Sequence, residues 1–338
     1  MWRAFTARRI AAAAAYGGGG ITALGGITFG LVVAEARLAR RLITATPGGD
    51  PPVADGLYGA AHGGVPLSLV MIGDSTAAGL GVHRPDETPA AMLAAGLSAI
   101  ADRPVRLTNV ARSGARSHAL SGQVDRALRS PGAGGRGPDL AVIMIGGNDV
   151  TGRVPPAESV RHLGRAVERL RAAGSQVVVG TCPDLGTVKP LMQPLRYIAR
   201  RASRQLAAAQ TIAAVERGAR TVSLGDLLGR EFSADPHSMF SADRYHPSAR
   251  GYAAACAAVL PAMAAALGLE PDVDDRLLGD GVLPVYLAAA EAAEAPGTEV
   301  HGTAFEGSER GPRGRWAALL RRRAMPSREA EAAPDPAH

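Results

Sequence analysis

The chain has 338 residues, of which 46% are hydrophobic and only 4% aromatic; this balance excludes a disordered chain and describes an alanine-rich globular protein. The net charge of +6 invites a nucleic-acid partner, but the cations are nearly all arginine (Lys189 is the lone lysine), scattered among Ala, Gly and Pro. With no basic stripe interleaved with aromatics and no nucleic-acid motif, we expect no such partner.

Residues 10–34 are uncharged and flanked by Arg3, Arg8 and Arg9 on one side and Arg37, Arg40 and Arg41 on the other. Their length suits a membrane span, although the glycines weaken it as a helix. A cleaved signal peptide is the competing reading, because Ala34–Glu35–Ala36 resembles a cleavage site. Residues 1–44 are therefore read as an N-terminal membrane anchor, with the signal sequence as alternative. The flanking charges do not decide orientation; a single N-terminal anchor is expected to leave the following domain extracytoplasmic. Residues 45–64, rich in Pro, Gly and Asp, read as a linker.

From 65 to 268 short apolar runs alternate with amphipathic stretches. Strands are predicted at 67–73, 105–110, 140–146, 176–181 and 221–224. Helices are predicted at 88–101, 118–129, 157–173, 195–217 and 247–267. Strands separated by helices imply a parallel sheet covered on both faces, one three-layer α/β/α domain of about five strands. Beyond 268 the chain becomes a mostly disordered tail, clearest at 296–314. Its segment 316–323 reads either as a short basic amphipathic stretch or as a solvated charge run. Cys182 and Cys256 match no metal spacing, and a disulfide and two buried thiols both remain open.

The chemistry lies at the predicted strand ends. The first strand runs into Gly73–Asp74–Ser75 and then small residues, which leave room for a tight strand-to-helix turn. Open α/β sheets place ligands there. Ser75 thus reads as a nucleophile beside backbone N–H groups, or as a mere helix cap. After the second strand, Gly114 allows close backbone approach. After the third comes Gly146–Gly147–Asn148–Asp149, where Asn148 is placed to aim an amide at a developing oxyanion, or simply sits in a turn.

Before the last helix stands Asp243–Arg244–Tyr245–His246. An imidazole is the natural base near neutral pH, and a carboxylate three residues earlier can reach its Nδ1–H. Of eight histidines only His237, after Asp235–Pro236, rivals it, and at a shorter spacing. No His-x-x-x-His or carboxylate cluster supports a metal site, and no metal or organic cofactor is expected.

Gly73–Asp74–Ser75, Gly114, Gly146–Gly147–Asn148–Asp149 and Asp243–x–x–His246 resemble, in order and placement, the blocks of the SGNH hydrolases, the GDSL-like lipases and esterases. The resemblance covers roughly 65–268. It implies a flavodoxin-like, doubly wound α/β/α domain whose serine attacks an ester carbonyl. By that likeness Ser75 is the nucleophile, His246 the general base and acid, and Asp243 its orienting carboxylate. The backbone N–H groups of Ser75 and Gly114 and the Asn148 side chain form the oxyanion hole, while Asp74 and Asp149 hold loops.

The expected substrate is a small ester, a lipid or an acylated glycan. Alternatives within reach of the same residues are an acyltransferase acting on sugar hydroxyls and a non-catalytic membrane-anchored module. A nucleotide-binding protein fits less well, because the glycine spacing after Gly73 matches neither the dinucleotide fingerprint nor a P-loop. Oligomeric state is not legible.

Overall fold

The computed structural model describes residues 49–130 and 137–269. The expected anchor at 10–34 and the tail from 270 onward lie outside the described residues. Six strands form one sheet: β1 (Gly56–Tyr58), β2 (Leu67–Gly73), β3 (Val105–Asn109), β4 (Leu140–Met144), β5 (Gln176–Gly180) and β6 (Arg220–Val222). Their spatial order is β1-β3-β2-β4-β5-β6. All neighbours from β3 to β6 are parallel, and only β1 runs antiparallel, along β3.

Nine α-helices accompany the sheet: α1 (Ser75–Ala78), α2 (Pro89–Ala101), α3 (Leu120–Leu128), α4 (Gly147–Thr151), α5 (Pro156–Ala172), α6 (Leu195–Val215), α7 (Leu224–Ala234), α8 (Pro236–Met239) and α9 (Ala249–Ala266), counted among the described residues. All seven residues of β2 are buried, as a central strand covered on both faces requires. Its odd-numbered side chains Leu67, Leu69 and Met71 pack with residues of α2, α7 and α9. Val70 and Ile72 point to the other face, against α3 and α5. This is the three-layer arrangement, with two cores separated by the sheet.

The mixed sheet of six strands differs from the expected five parallel ones. The added strand is Gly56–Tyr58, within the stretch read as linker; it has no apolar run and is fixed by pairing with β3. The last predicted strand is also shorter, because Ser223 ends it and Leu224 opens α7. Helix α9 is, among the described residues, the one helix long and apolar enough to cross a membrane by length and composition. Tyr252, Ala258, Val259 and Met263 are buried in the domain, so α9 is a core helix here.

Candidate active site

The turn after β2 is possible because residue 73 is glycine. Its φ of +148° disfavours a side chain, and a Cβ there would lie 1.9 Å from the Met144 carbonyl oxygen. The chain can therefore pass tightly between β2 and β4 and deliver Ser75 to the carboxyl end of the sheet. Asp74 caps the short helix, accepting the Thr76 N–H at 2.9 Å. Gln123 of α3 fastens the strand end itself: its Oε1 accepts the Gly73 N–H at 2.7 Å and its Nε2 donates to the Gly73 carbonyl at 2.8 Å.

His246 arrives on a loop closed upon itself. Phe240 and Pro247 form an antiparallel bridge, and the Ser241 N–H donates to the His246 carbonyl at 2.8 Å. Asp243 Oδ1 accepts the Ser241 hydroxyl (2.7 Å) and the N–H groups of Tyr245 (2.8 Å) and His246 (2.9 Å). Its other oxygen lies 2.6 Å from His246 Nδ1, and His246 Nε2 lies 3.0 Å from Ser75 Oγ. The structure thus brings Ser75, His246 and Asp243 together in one hydrogen-bonded line. His237 is exposed on α8 and is not in that line.

Burial opposes charge on Asp243, but the His246 ring, the Ser241 hydroxyl and the two N–H groups outweigh it and hold the carboxyl well below its usual range. Asp74 has the opposite balance. Burial dominates and lifts it to about 6, against the Thr76 N–H, the His246 ring and the Gly146 N–H. The Cys182 and Cys256 thiols are free and buried, and burial raises both.

Two contacts set the histidine loop against the turn that carries Ser75. The Tyr252 hydroxyl of α9 donates to the Leu80 carbonyl at 2.6 Å. Gly81 (φ +108°) sits so close that a Cβ would lie 2.7 Å from the Pro247 carbonyl oxygen and 2.9 Å from His246 Cβ.

Asn148 lies on α4 and shares a cavity wall with Ser75 and His246. Its Nδ2 also donates to the Ala115 carbonyl at 3.2 Å. Asp149, fully buried, accepts the Ser117 N–H and the Ser159 hydroxyl, tying the loop after β3 to α4 and α5. Gly114 lies on an exposed turn with φ +75° and does not line the cavity. Among the described residues, no three His, Cys, Asp or Glu side chains are grouped to hold a metal ion.

The cavity, of about 90 Å³, runs from Ser75 between the ends of β4 and β5 toward α7, where Leu224, Leu228 and Phe232 form apolar wall. Phe240 packs edge-on against Phe232, with ring centroids 4.9 Å apart.

The Ser75–His246–Asp243 line beside an apolar pocket at the strand ends of a mostly parallel sheet is compatible with hydrolytic chemistry. Residues 71–254 match the GDSL-like lipase/acylhydrolase family. The GDSL-like esterase Rv1075c of Mycobacterium tuberculosis is 41% identical over 254 residues, spanning 72% of this chain and 79% of that protein. Among solved structures, LAE5, described as an alpha/beta hydrolase enzyme from the metagenome of Lake Arreo, shares 22% identity with a TM-score of 0.46 over 61% of this chain and 97% of its own. TesA shares 26% identity with a TM-score of 0.44, over 57% of this chain and 96% of its own. The chain belongs to the GDSL-like lipase/acylhydrolase family, and it is a hydrolase acting on ester bonds.

Proposed function

We propose that the chain cleaves carboxylic esters through an acyl-enzyme on Ser75. Ser75 Oγ bonds to the ester carbonyl carbon as its proton passes to His246 Nε2. The carbonyl oxygen becomes an oxyanion held by the Ser75 N–H and by the second N–H of the Asn148 amide; Gly114, on its exposed turn away from the cavity, is given no part in holding it. The C–O bond to the alcohol then breaks, and His246 returns the proton to that leaving oxygen. Water, deprotonated by the same ring, releases the acid. Asp243 fixes the ring with its Nδ1–H inward and stabilises the imidazolium. Donors placed for the tetrahedral oxyanion bind it better than the flat carbonyl, which is what accelerates the step.

The observation that carries this reading is the pair of contacts at 3.0 and 2.6 Å that link Ser75 Oγ, His246 and Asp243. The apolar wall toward α7 supports an apolar acyl arm on the substrate. We place this hydrolase domain at 65–268, carried outside the cytoplasm by the uncharged segment 10–34. The test is Ser75→Ala in the full chain, assayed with p-nitrophenyl acetate and with a fluorophosphonate probe. Turnover and labelling should both vanish with the circular dichroism unchanged; a variant that hydrolyses the ester like the parent overturns the proposal.

A further inference from the structure

Helix α6 and the loop leading into it present a surface that the site does not use. Between Asp184 and Glu216 the sequence holds five cations, Lys189, Arg196, Arg200, Arg201 and Arg204, and no acidic residue. Asp184 itself is buried beneath them, 3.3 Å from Arg200 and 3.2 Å from Arg204, and offsets one charge of the five. Three large apolar side chains are exposed within the same short stretch: Met192 (55%), Tyr197 (59%) and Ile198 (46%). The loop is also continuous with the catalytic cavity, since Leu185 and Val188 line its wall just before Lys189.

Exposed apolar side chains cost free energy in water unless something covers them, and clustered ones mark an interaction surface. The cover must tolerate, or favour, a concentration of positive charge that Asp184 offsets only in part. An anionic lipid surface meets both demands: it accepts the apolar groups at the boundary between headgroups and acyl chains, and its phosphates attract the cations. A second copy of this chain would set like charge against like. We propose that residues 189–201 dock on an anionic bilayer and hold the mouth of the cavity at the lipid surface. The use of such docking in catalysis rests on the ester-hydrolase reading; the docking itself does not.

The test uses the full-length protein with an environment-sensitive fluorophore on Ile198→Cys. The native thiols Cys182 and Cys256 are buried and do not compete for the label. A control label on Ala99→Cys sits on an exposed position near the carboxyl end of α2, just before the start of β3. With vesicles of phosphatidylcholine and phosphatidylglycerol, emission from position 198 should rise and shift to the blue, while position 99 stays unchanged and pure phosphatidylcholine gives little response. Because the probe reports its own surroundings, attachment of the chain by another segment does not mimic the signal.

Adding Lys189→Gln with Arg201→Gln should raise the anionic lipid needed for half the response by roughly 30-fold, given the attraction of each cation to such a surface. Circular dichroism verifies that these exposed substitutions leave the fold intact. An unchanged emission at 198, an equal response to neutral lipid, or a rise with protein concentration in the absence of lipid overturns the proposal. Turnover of p-nitrophenyl acetate, a soluble ester, is followed separately. Docking without turnover would sink the acyl-enzyme reading of Ser75 and leave the docking surface standing.

Discussion

Asp74 stands beside the proposed nucleophile with 4% of its surface exposed, and burial lifts its carboxyl from the ordinary 3.8 to about 6. Between those two pH values the folded protein keeps a proton that the unfolded chain has released. Stability from this group is therefore fully present below pH 3.8, falls as pH rises, and is gone above about pH 6. The loss runs at about 1.4 kcal/mol per pH unit, in total about 3 kcal/mol. Asp74→Asn removes the titration. An amide oxygen can still accept the Thr76 N–H, but its NH₂ would face the Gly146 N–H, so the variant carries a constant offset of its own. The prediction concerns the slope: relative to wild type, the variant should gain about 2 kcal/mol between pH 4 and pH 7, the remainder having been lost below pH 4. Groups with the opposite dependence, Asp243 above all, are common to both proteins and cancel. Urea unfolding followed by far-UV circular dichroism is the assay, since Trp2 and Trp316 both lie outside the described residues. Two stability curves that run parallel across this window would refute the argument that desolvation dominates at Asp74.

Asp243→Asn keeps the shape of the histidine loop but turns the wrong group toward Nδ1; steady-state kinetics should show kcat down by about 10⁴, with KM little changed. Asn148→Ala should lower kcat by about 10²–10³ if its amide serves the oxyanion, and binding of a non-reactive ester analogue should be unaffected. Gln123→Leu strands the Gly73 N–H in the core, while the Gly73 carbonyl keeps the Arg112 N–H at 3.1 Å, and urea unfolding should record a loss of roughly 1–3 kcal/mol. Gly81→Ala strains a positive φ and presses on Pro247 and His246 Cβ. It should cost of order 1–3 kcal/mol in stability while cutting turnover of p-nitrophenyl acetate far more than that loss explains.

The core of this domain was readable because parallel strands buried on both faces write continuous apolar runs. The run at 67–73 became β2 without a residue's change, and β3, β4 and β5 differ from expectation only at their carboxyl ends. The contact between Asp243 and His246 was legible from spacing, since a carboxylate and an imidazole three residues apart can meet within one loop; Ser75, 171 residues from His246, was joined to them by its place at a strand end and by the family resemblance. What stayed hidden depends on distant partners. Gly56–Tyr58 carries no periodic signal and becomes a strand only because β3 offers it an edge. Helix α7 was obscured because Thr221, Val222 and Leu224 read as one apolar run across Ser223. Gln123 and Gln210 look like ordinary helical polar residues. Yet Gln210 accepts the Cys182 N–H at 2.7 Å and donates to the Ile145 carbonyl at 2.9 Å, doing for β4 and β5 what Gln123 does for β2. No local pattern announces a side chain whose partners lie 28 to 65 residues away.

These clamps explain how two segments 171 residues apart keep a 3.0 Å contact. The Ser75 turn is fixed to the sheet through Gly73 and Gln123, and the histidine loop is fixed to itself through Asp243 and the Phe240–Pro247 bridge. Only the relation between the two bodies remains, and α9 sets it: its amino end carries His246 in, and its Tyr252 hydroxyl holds the Leu80 carbonyl. Cavities in the core around α9 should therefore act on turnover before they unfold the domain, because a small shift of the helix moves the imidazole away from Ser75 while leaving each body intact.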